Sequence, residues 1–254
     1  MRRISALLSL LLFCCLMLVA QDKTPVQRKD SVMVSAGISK EQLTLEAQLA
    51  AVLSGADQAL KAGRAADAVQ QYEAALAMVH KEPLLAEQEQ KVLRKAGNGY
   101  IEANRPSDAV ATFQKLVEAT SKQCDSEITM VSTCASAQQD LGMAKMRAGD
   151  FGGGLASLQQ AEATYMKAEK LGEAEKQHEY AMIQIMDQAK TKLLISVALF
   201  RLGRAADAVT ATEEAIPQLN RVKDDTGINA GIRESATSSL KDAQTLLARL
   251  ESAH

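Results

Sequence analysis

After Gly63, the apolar positions Ala68, Val69, Tyr72, Ala75, Leu76 and Val79 fall on one helical face, the later five lying one, four, seven, eight and eleven residues beyond the first. At 3.6 residues per turn this spacing draws a single apolar stripe. Upstream, Ser39 followed by Gln42 forms a capping-box pattern that predicts a helix starting near Lys40, and Leu43, Ala50, Leu53 and Leu60 carry it to Gly63. Glycine there can take the left-handed conformation that ends a helix. A last amphipathic stretch follows Asp224-Asp225-Thr226-Gly227 and runs from Ile232 through Leu240, Leu246, Leu247 and Leu250.

The segment Gly63-Arg64-Ala65-Ala66-Asp67-Ala68-Val69 recurs unchanged as Gly203-Arg204-Ala205-Ala206-Asp207-Ala208-Val209, so the helical pattern is also a repeat. Placing the helix after each turn in register extends it. After Gly63 come Ala68, Tyr72 and Ala75; after Asn104, Ala109, Phe113 and Leu116; after Gly149, Gly154, Leu158 and Ala161; after Gly203, Ala208, Thr212 and Ala215. The helices before these turns agree, with Ala96-Gly97 and Tyr100, then Leu141-Gly142, then Ile195-Ser196 and Leu199.

This register resembles the tetratricopeptide repeat (TPR), which sets a Leu-Gly and a Tyr on its first helix and an Ala, an aromatic and another Ala on its second. The physical logic is visible in the residues. Small side chains at Gly97, Gly142, Ala68, Ala109, Gly154 and Ala208 let helices approach, while Tyr72, Tyr100 and Phe113 fill the space beside them. Pro106 suits a first helical turn. The resemblance implies an all-α fold, an α-solenoid of antiparallel helix pairs in a right-handed superhelix, with about nine helices and a C-terminal capping helix over 228–254. The repeats fall near 49–82, 90–123, 135–168 and 189–222, within a domain spanning 39–222. From Ala68 to Ala109 is 41 residues, then 45 to Gly154 and 54 to Ala208, against about 34 in the family. Longer helices, rather than inserted loops, are expected to take up the excess.

Composition and the N-terminus add an address. Arg2 and Arg3, an apolar run from Ile4 to Val19 and a polar switch after Ala20 read as a secretory signal over 1–20. An uncleaved anchor is the alternative, because the run approaches the roughly 20 residues that cross a bilayer. Residues 21–38 show no period and read as a linker. Cys14 and Cys15 lack the small residues that precede the cysteine of a lipoprotein signal. The chain is expected to be exported, periplasmic or extracellular, or else N-terminally anchored, and to touch a membrane only through that segment or a membrane-bound partner. A net charge of −2 with 3% aromatics argues against nucleic acid, which calls for a basic footprint and stacking platforms. Cys124 and Cys134 remain after signal removal. They bridge if both flank one interhelix turn; if Cys134 sits two turns into the next helix, the expected separation forbids it.

Candidate chemistry is thin. His178-Glu179 begins like a zinc-protease helix but finds Met182, not His, three positions beyond Glu179. Asp225-Thr226-Gly227 matches aspartic proteases in letters only and reads as a turn. Ser238 and Lys241 lack companion motifs, and Gly152-Gly153-Gly154 falls on a repeat turn with no Lys-Ser or Lys-Thr after it. No enzyme, metal or cofactor is expected. The methionines Met143, Met146, Met182 and Met186 lie at helical spacings that suit a core or an adaptable binding surface.

In several TPR proteins a basic residue and, one turn later, an asparagine hold a partner's terminal carboxylate, and Arg94 and Asn98 are similar. The matching positions of the next copy, Ser136, Gln139 and Asp140, supply no cation, so the complete clamp is absent. By the same register, Arg94, Asn98, Gln139, Met143, Val197 and Arg201 are expected to face a partner groove. The implied function is a non-catalytic, exported scaffold binding a peptide or protein partner; a cell-envelope assembly factor and a carrier of a small apolar ligand are the alternatives.

Overall fold

The computed structural model describes residues 39–122, 124–125 and 127–252. The signal and linker, 1–38, lie outside them. Nine α-helices occur among the described residues: α1 (Lys40–Lys61), α2 (Ala65–Lys81), α3 (Glu89–Glu102), α4 (Pro106–Ser121), α5 (Ile128–Arg147), α6 (Phe151–Ala174), α7 (His178–Arg201), α8 (Ala205–Asp224) and α9 (Ala230–Ser252). From α2 on, each packs on its neighbour in sequence, the mark of an α-solenoid built from antiparallel pairs. A second set of backbone approaches joins α3 to α5, α5 to α7 and α7 to α9, while among the described residues the even-numbered helices show no such approach, and Arg221 of α8 reaches Glu169 and Glu173 of α6 only by its long side chain. The terminal helix α9 thus packs on α8 and reaches α7, as a first helix of a further copy would.

One turn geometry recurs at five helix ends. Gly63, Asn104, Gly149, Lys176 and Gly203 have φ of 72°, 58°, 86°, 59° and 75°. The following amide donates to a carbonyl five residues back each time: Arg64 to Ala59, Arg105 to Tyr100, Asp150 to Lys145, Gln177 to Gly172 and Arg204 to Leu199, at 2.8–2.9 Å. This left-handed Schellman ending satisfies carbonyls that a helix end leaves orphaned. In the recurring heptapeptide the arginine then turns back on the aspartate three residues later, Arg64 to Asp67 at 2.9 Å and Arg204 to Asp207 at 2.7 Å. All four side chains are more than half exposed, so these pairs decorate the turn and add little stability.

Inside each pair a small residue on the first helix faces a position sixteen residues later on the second. Gly97 meets Phe113 and Gly142 meets Leu158 in this way, and Ala56 and Tyr72, at the same spacing, are both buried. The fourth copy replaces the contact with hydroxyls: Ser196 Oγ donates to the Ala208 carbonyl at 2.7 Å and lies 2.7 Å from Thr212 Oγ1. A Cβ on Gly142 would stand 3.1 Å from the Gly154 carbonyl, and one on Gly154 3.0 Å from the Gly142 carbonyl. Here the two backbones themselves set the crossing distance.

Two expectations need correction. The excess between the first two copies goes into a 3₁₀ segment, Pro83–Gln88, rather than longer helices, and α3 has only 14 residues. The longest spacing is absorbed as expected, by the 24-residue α6 and α7. Cys134 lies nearly two turns inside α5, yet it is bonded to Cys124 with Cα atoms 5.7 Å apart. The bond places Cys124 beside the second turn of α5.

His178 and Asp225, each discounted as part of a catalytic motif, meet as a structural clasp. Asp225 Oδ2 lies 2.7 Å from His178 Nε2, Asp225 Oδ1 accepts from the Gly227 amide at 2.8 Å, and Glu179 accepts from the Asn229 amide at 2.8 Å. The α8–α9 turn is thereby tied to the start of α7. The Gly227 amide first, and His178 after it, hold the Asp225 carboxyl below the usual carboxylate range. His178-Glu179 therefore has a structural occupation.

Candidate functional site

The six residues assigned to the groove divide into two places. Met143, Val197 and Arg201 come together in one cleft of about 510 Å³, whose lining also includes Met146, Arg147, Gly149, Phe151 and Leu194. Helix α5 supplies Met143, Met146 and Arg147 along its last turns. The Gly149 turn and the start of α6 supply Phe151, and α7 supplies Leu194, Val197 and Arg201 at three- and four-residue spacings that share one helix face. The Asp150 side chain caps α6 by accepting from the Gly153 amide at 2.8 Å, which fixes where Phe151 enters. The methionines have parted company: Met182 and Met186 are buried in the core beside α8 and α9, while Met143 and Met146 stay half-buried at the cleft.

The cleft has an apolar floor, and its only ionisable lining groups are Arg147 and Arg201. The Arg201 guanidinium carbon stands 5.5 Å from the centre of the Phe151 ring, a cation–π distance that steadies it at the rim. The lining contains no nucleophile, no carboxylate and no histidine. Among the described residues no group of three or more His, Cys, Asp or Glu could hold a metal ion. What such a surface can do is bury apolar groups and attract anions.

Arg94, Asn98 and Gln139 do not line this cleft. Arg94 is not free to take a partner's carboxylate, because Asp140 occupies it, Nε to Oδ2 at 3.2 Å. The pairing is imperfect: Arg94 Nε and Nη2 and Asp140 Oδ2 are buried without a hydrogen-bond partner. Gln139 Oε1 accepts from the Tyr165 hydroxyl at 3.0 Å, and on the next residues Gln138 Oε1 accepts from Thr164 at 2.9 Å. These residues join α3, α5 and α6 as an internal polar layer. Asn98 remains exposed on α3.

Burial pushes Asp140 up to about 6, with the Arg94 guanidinium opposing but not cancelling it. A carboxyl whose pKa rises from about 4 unfolded to this value binds its proton more tightly when folded. Its contribution is therefore present below about pH 4 and lost as pH rises through about 6. The stability of the native chain relative to an Asp140→Asn variant should fall by about 2 kcal/mol between pH 4.5 and 7.5. Denaturant titrations of both proteins at pH 4.5 and 7.5 measure it; parallel pH profiles would refute the assignment.

Arg147, Phe151 and Leu194 were not anticipated, though a signal existed. Arg147 lies four residues after Met143 and Leu194 three before Val197, so each shares a face with a residue already chosen. Phe151 opens α6 ahead of Gly152-Gly153-Gly154, a run that reads as turn in the sequence but lies inside the helix, so no helical phase marks it.

The fold is a TPR-like helical repeat. It is similar to the crystal structure of nearly identical TPR-like repeats described as a kinesin light chain of Podosopora anserina, with 16% identity over 81% of this chain and 94% of that one and a TM-score of 0.50. A point variant of the same repeats gives 15% identity, 85% and 96% coverage and a TM-score of 0.52. At such identity the likeness concerns the fold alone. No family model and no curated protein matches the chain.

Proposed function

We propose that this chain is an exported, non-catalytic scaffold whose odd-numbered helices hold a peptide or surface segment of a partner protein. The observation that carries the reading is the cleft between α5 and α7, where Met143, Val197 and Arg201 converge on an apolar floor that is open to a ligand. The contacts of α3 with α5, α5 with α7 and α7 with α9 support the choice of face. Helices whose backbones draw together in one layer, while those of the other layer stay apart, form the inner side of a curved stack. Extended peptides and helices commonly occupy such surfaces. Export rests on the charged and apolar pattern of residues 1–20, and the Cys124–Cys134 bond suits an oxidising compartment. No helix of the described residues is long and apolar enough to cross a membrane.

Crosslinking in cells tests the face. Photoreactive groups at Asn98 and Met143, on α3 and α5, should capture one protein partner, while groups at Gln71 and Lys115, on α2 and α4, should capture none. Capture only from Gln71 or Lys115 would overturn the reading. The apolar floor also favours a second reading, a carrier of a small apolar ligand. Organic extraction of the purified protein that yields no bound lipid would remove it.

A further inference from the structure

The scaffold reading leaves the chemistry of the partner open, and the rim of the cleft narrows it. Arg64, Arg94, Arg105, Arg204 and Arg221 each stand against an Asp or Glu of the chain. Arg147 and Arg201 are exposed and, like Arg233 and Arg249 elsewhere on the chain, have no carboxylate within 4.0 Å among the described residues. In a chain whose net charge is −2, two unpaired guanidiniums thus share the mouth of one apolar cleft. Phe200 and Leu202, which flank Arg201 in sequence, are 39% and 43% exposed and add apolar surface next to it in the chain.

The combination selects an occupant by complementarity. A purely apolar segment would leave both cations partly desolvated and unpaired at the interface, which is costly. A purely acidic one would leave the floor of Met143, Met146, Phe151, Leu194 and Val197 unfilled. Guanidinium groups meet carboxylates in planar, paired hydrogen bonds, and a rim pair gains strength where neighbouring apolar contact excludes water. At about 510 Å³ the open cleft is of a size that takes a few side chains. We propose, resting on the scaffold reading, that it binds an acidic and apolar peptide segment of a partner protein. Apolar side chains of that segment lie on the floor between α5 and α7, and its Asp or Glu carboxylates meet Arg147 and Arg201.

A random dodecapeptide display library, selected in parallel on the native chain and on an Arg147→Glu/Arg201→Glu variant, tests this. Both substituted side chains are exposed, so thermal melts should confirm that the variant folds. Peptides enriched on the native chain should pair Asp or Glu with large apolar residues, and should bind the variant roughly tenfold or more weaker. Selection on the variant should shift toward Lys and Arg. Enriched peptides that crosslink to a photoreactive group at Met143 but show no acidic preference, and bind both proteins equally, would overturn this inference and leave the scaffold reading intact. Recovery of no peptide, with laurate binding instead, would overturn both.

Discussion

Truncating Phe113 to alanine should cost about 4 kcal/mol, Gly97→Ala about 2 kcal/mol, and the double variant clearly less than the sum. Phe113 is fully buried between α3 and α4, so its loss removes both transfer free energy and packing. The glycine cost has a different origin: a Cβ at position 97 would stand 2.6–2.8 Å from three atoms at the tip of the Phe113 ring, which has nowhere to move. Removing the ring frees the space that the new methyl needs. The two substitutions therefore partly compensate, with a coupling of about 1–2 kcal/mol. Denaturant unfolding of the four proteins in a double-mutant cycle measures it. Strict additivity would show that the helix crossing does not depend on this contact.

The same reasoning separates the third copy from the second. At Gly142 and Gly154 the opposing atoms include carbonyls of the facing helix, so shortening Leu158 would relieve only part of the strain. The small-residue positions look alike in sequence. What differs is whether the atom across the crossing belongs to a side chain that can be shortened or to the backbone.

The helix pairs were legible because their determinants are local. A stripe such as Ala68, Tyr72, Ala75 and Val79 states its buried face, and the recurring Gly-Arg-Ala-Ala-Asp-Ala-Val states the turn that precedes it. Lys176 was not legible: it takes the left-handed conformation with no glycine to mark it, whereas the nearby Gly172 lies inside α6. Gly172 is small for another reason, since a Cβ there would meet the Ala181 backbone at 3.2 Å. Pro83–Gln88 is too short for any period to identify. The site shows the same division. Register brought Met143, Val197 and Arg201 together, because all three follow from helical phase. That Asp140 occupies Arg94 depends on a contact between residues 46 positions apart, and the register, which placed both on inner helices, contained nothing about their distance.

Replacing both Cys124 and Cys134 by serine should lower stability by about 3 kcal/mol, the chain-entropy value for a loop closed by a separation of 10 residues. The bond matters beyond that loop because of where it sits. Cys134 is 2% exposed on α5, the helix that also carries Gly142 at the tight crossing and Met143 in the cleft. The connection it anchors contains Asp125, which is paired with Lys167 of α6, so the bond positions a turn that reaches two helices. Loosening it should release the start of α5 before the end, since Gly142 and Leu158 hold the later part against α6. Hydrogen exchange on the native and double-serine proteins tests this gradient: protection should fall most over 128–135 and least over 141–147. A reductant should reproduce the change in the native protein and do nothing to the variant. Uniform loss of protection along α5 would instead show that the bond supports the whole helix, and the cleft built on its last turns would then open with it.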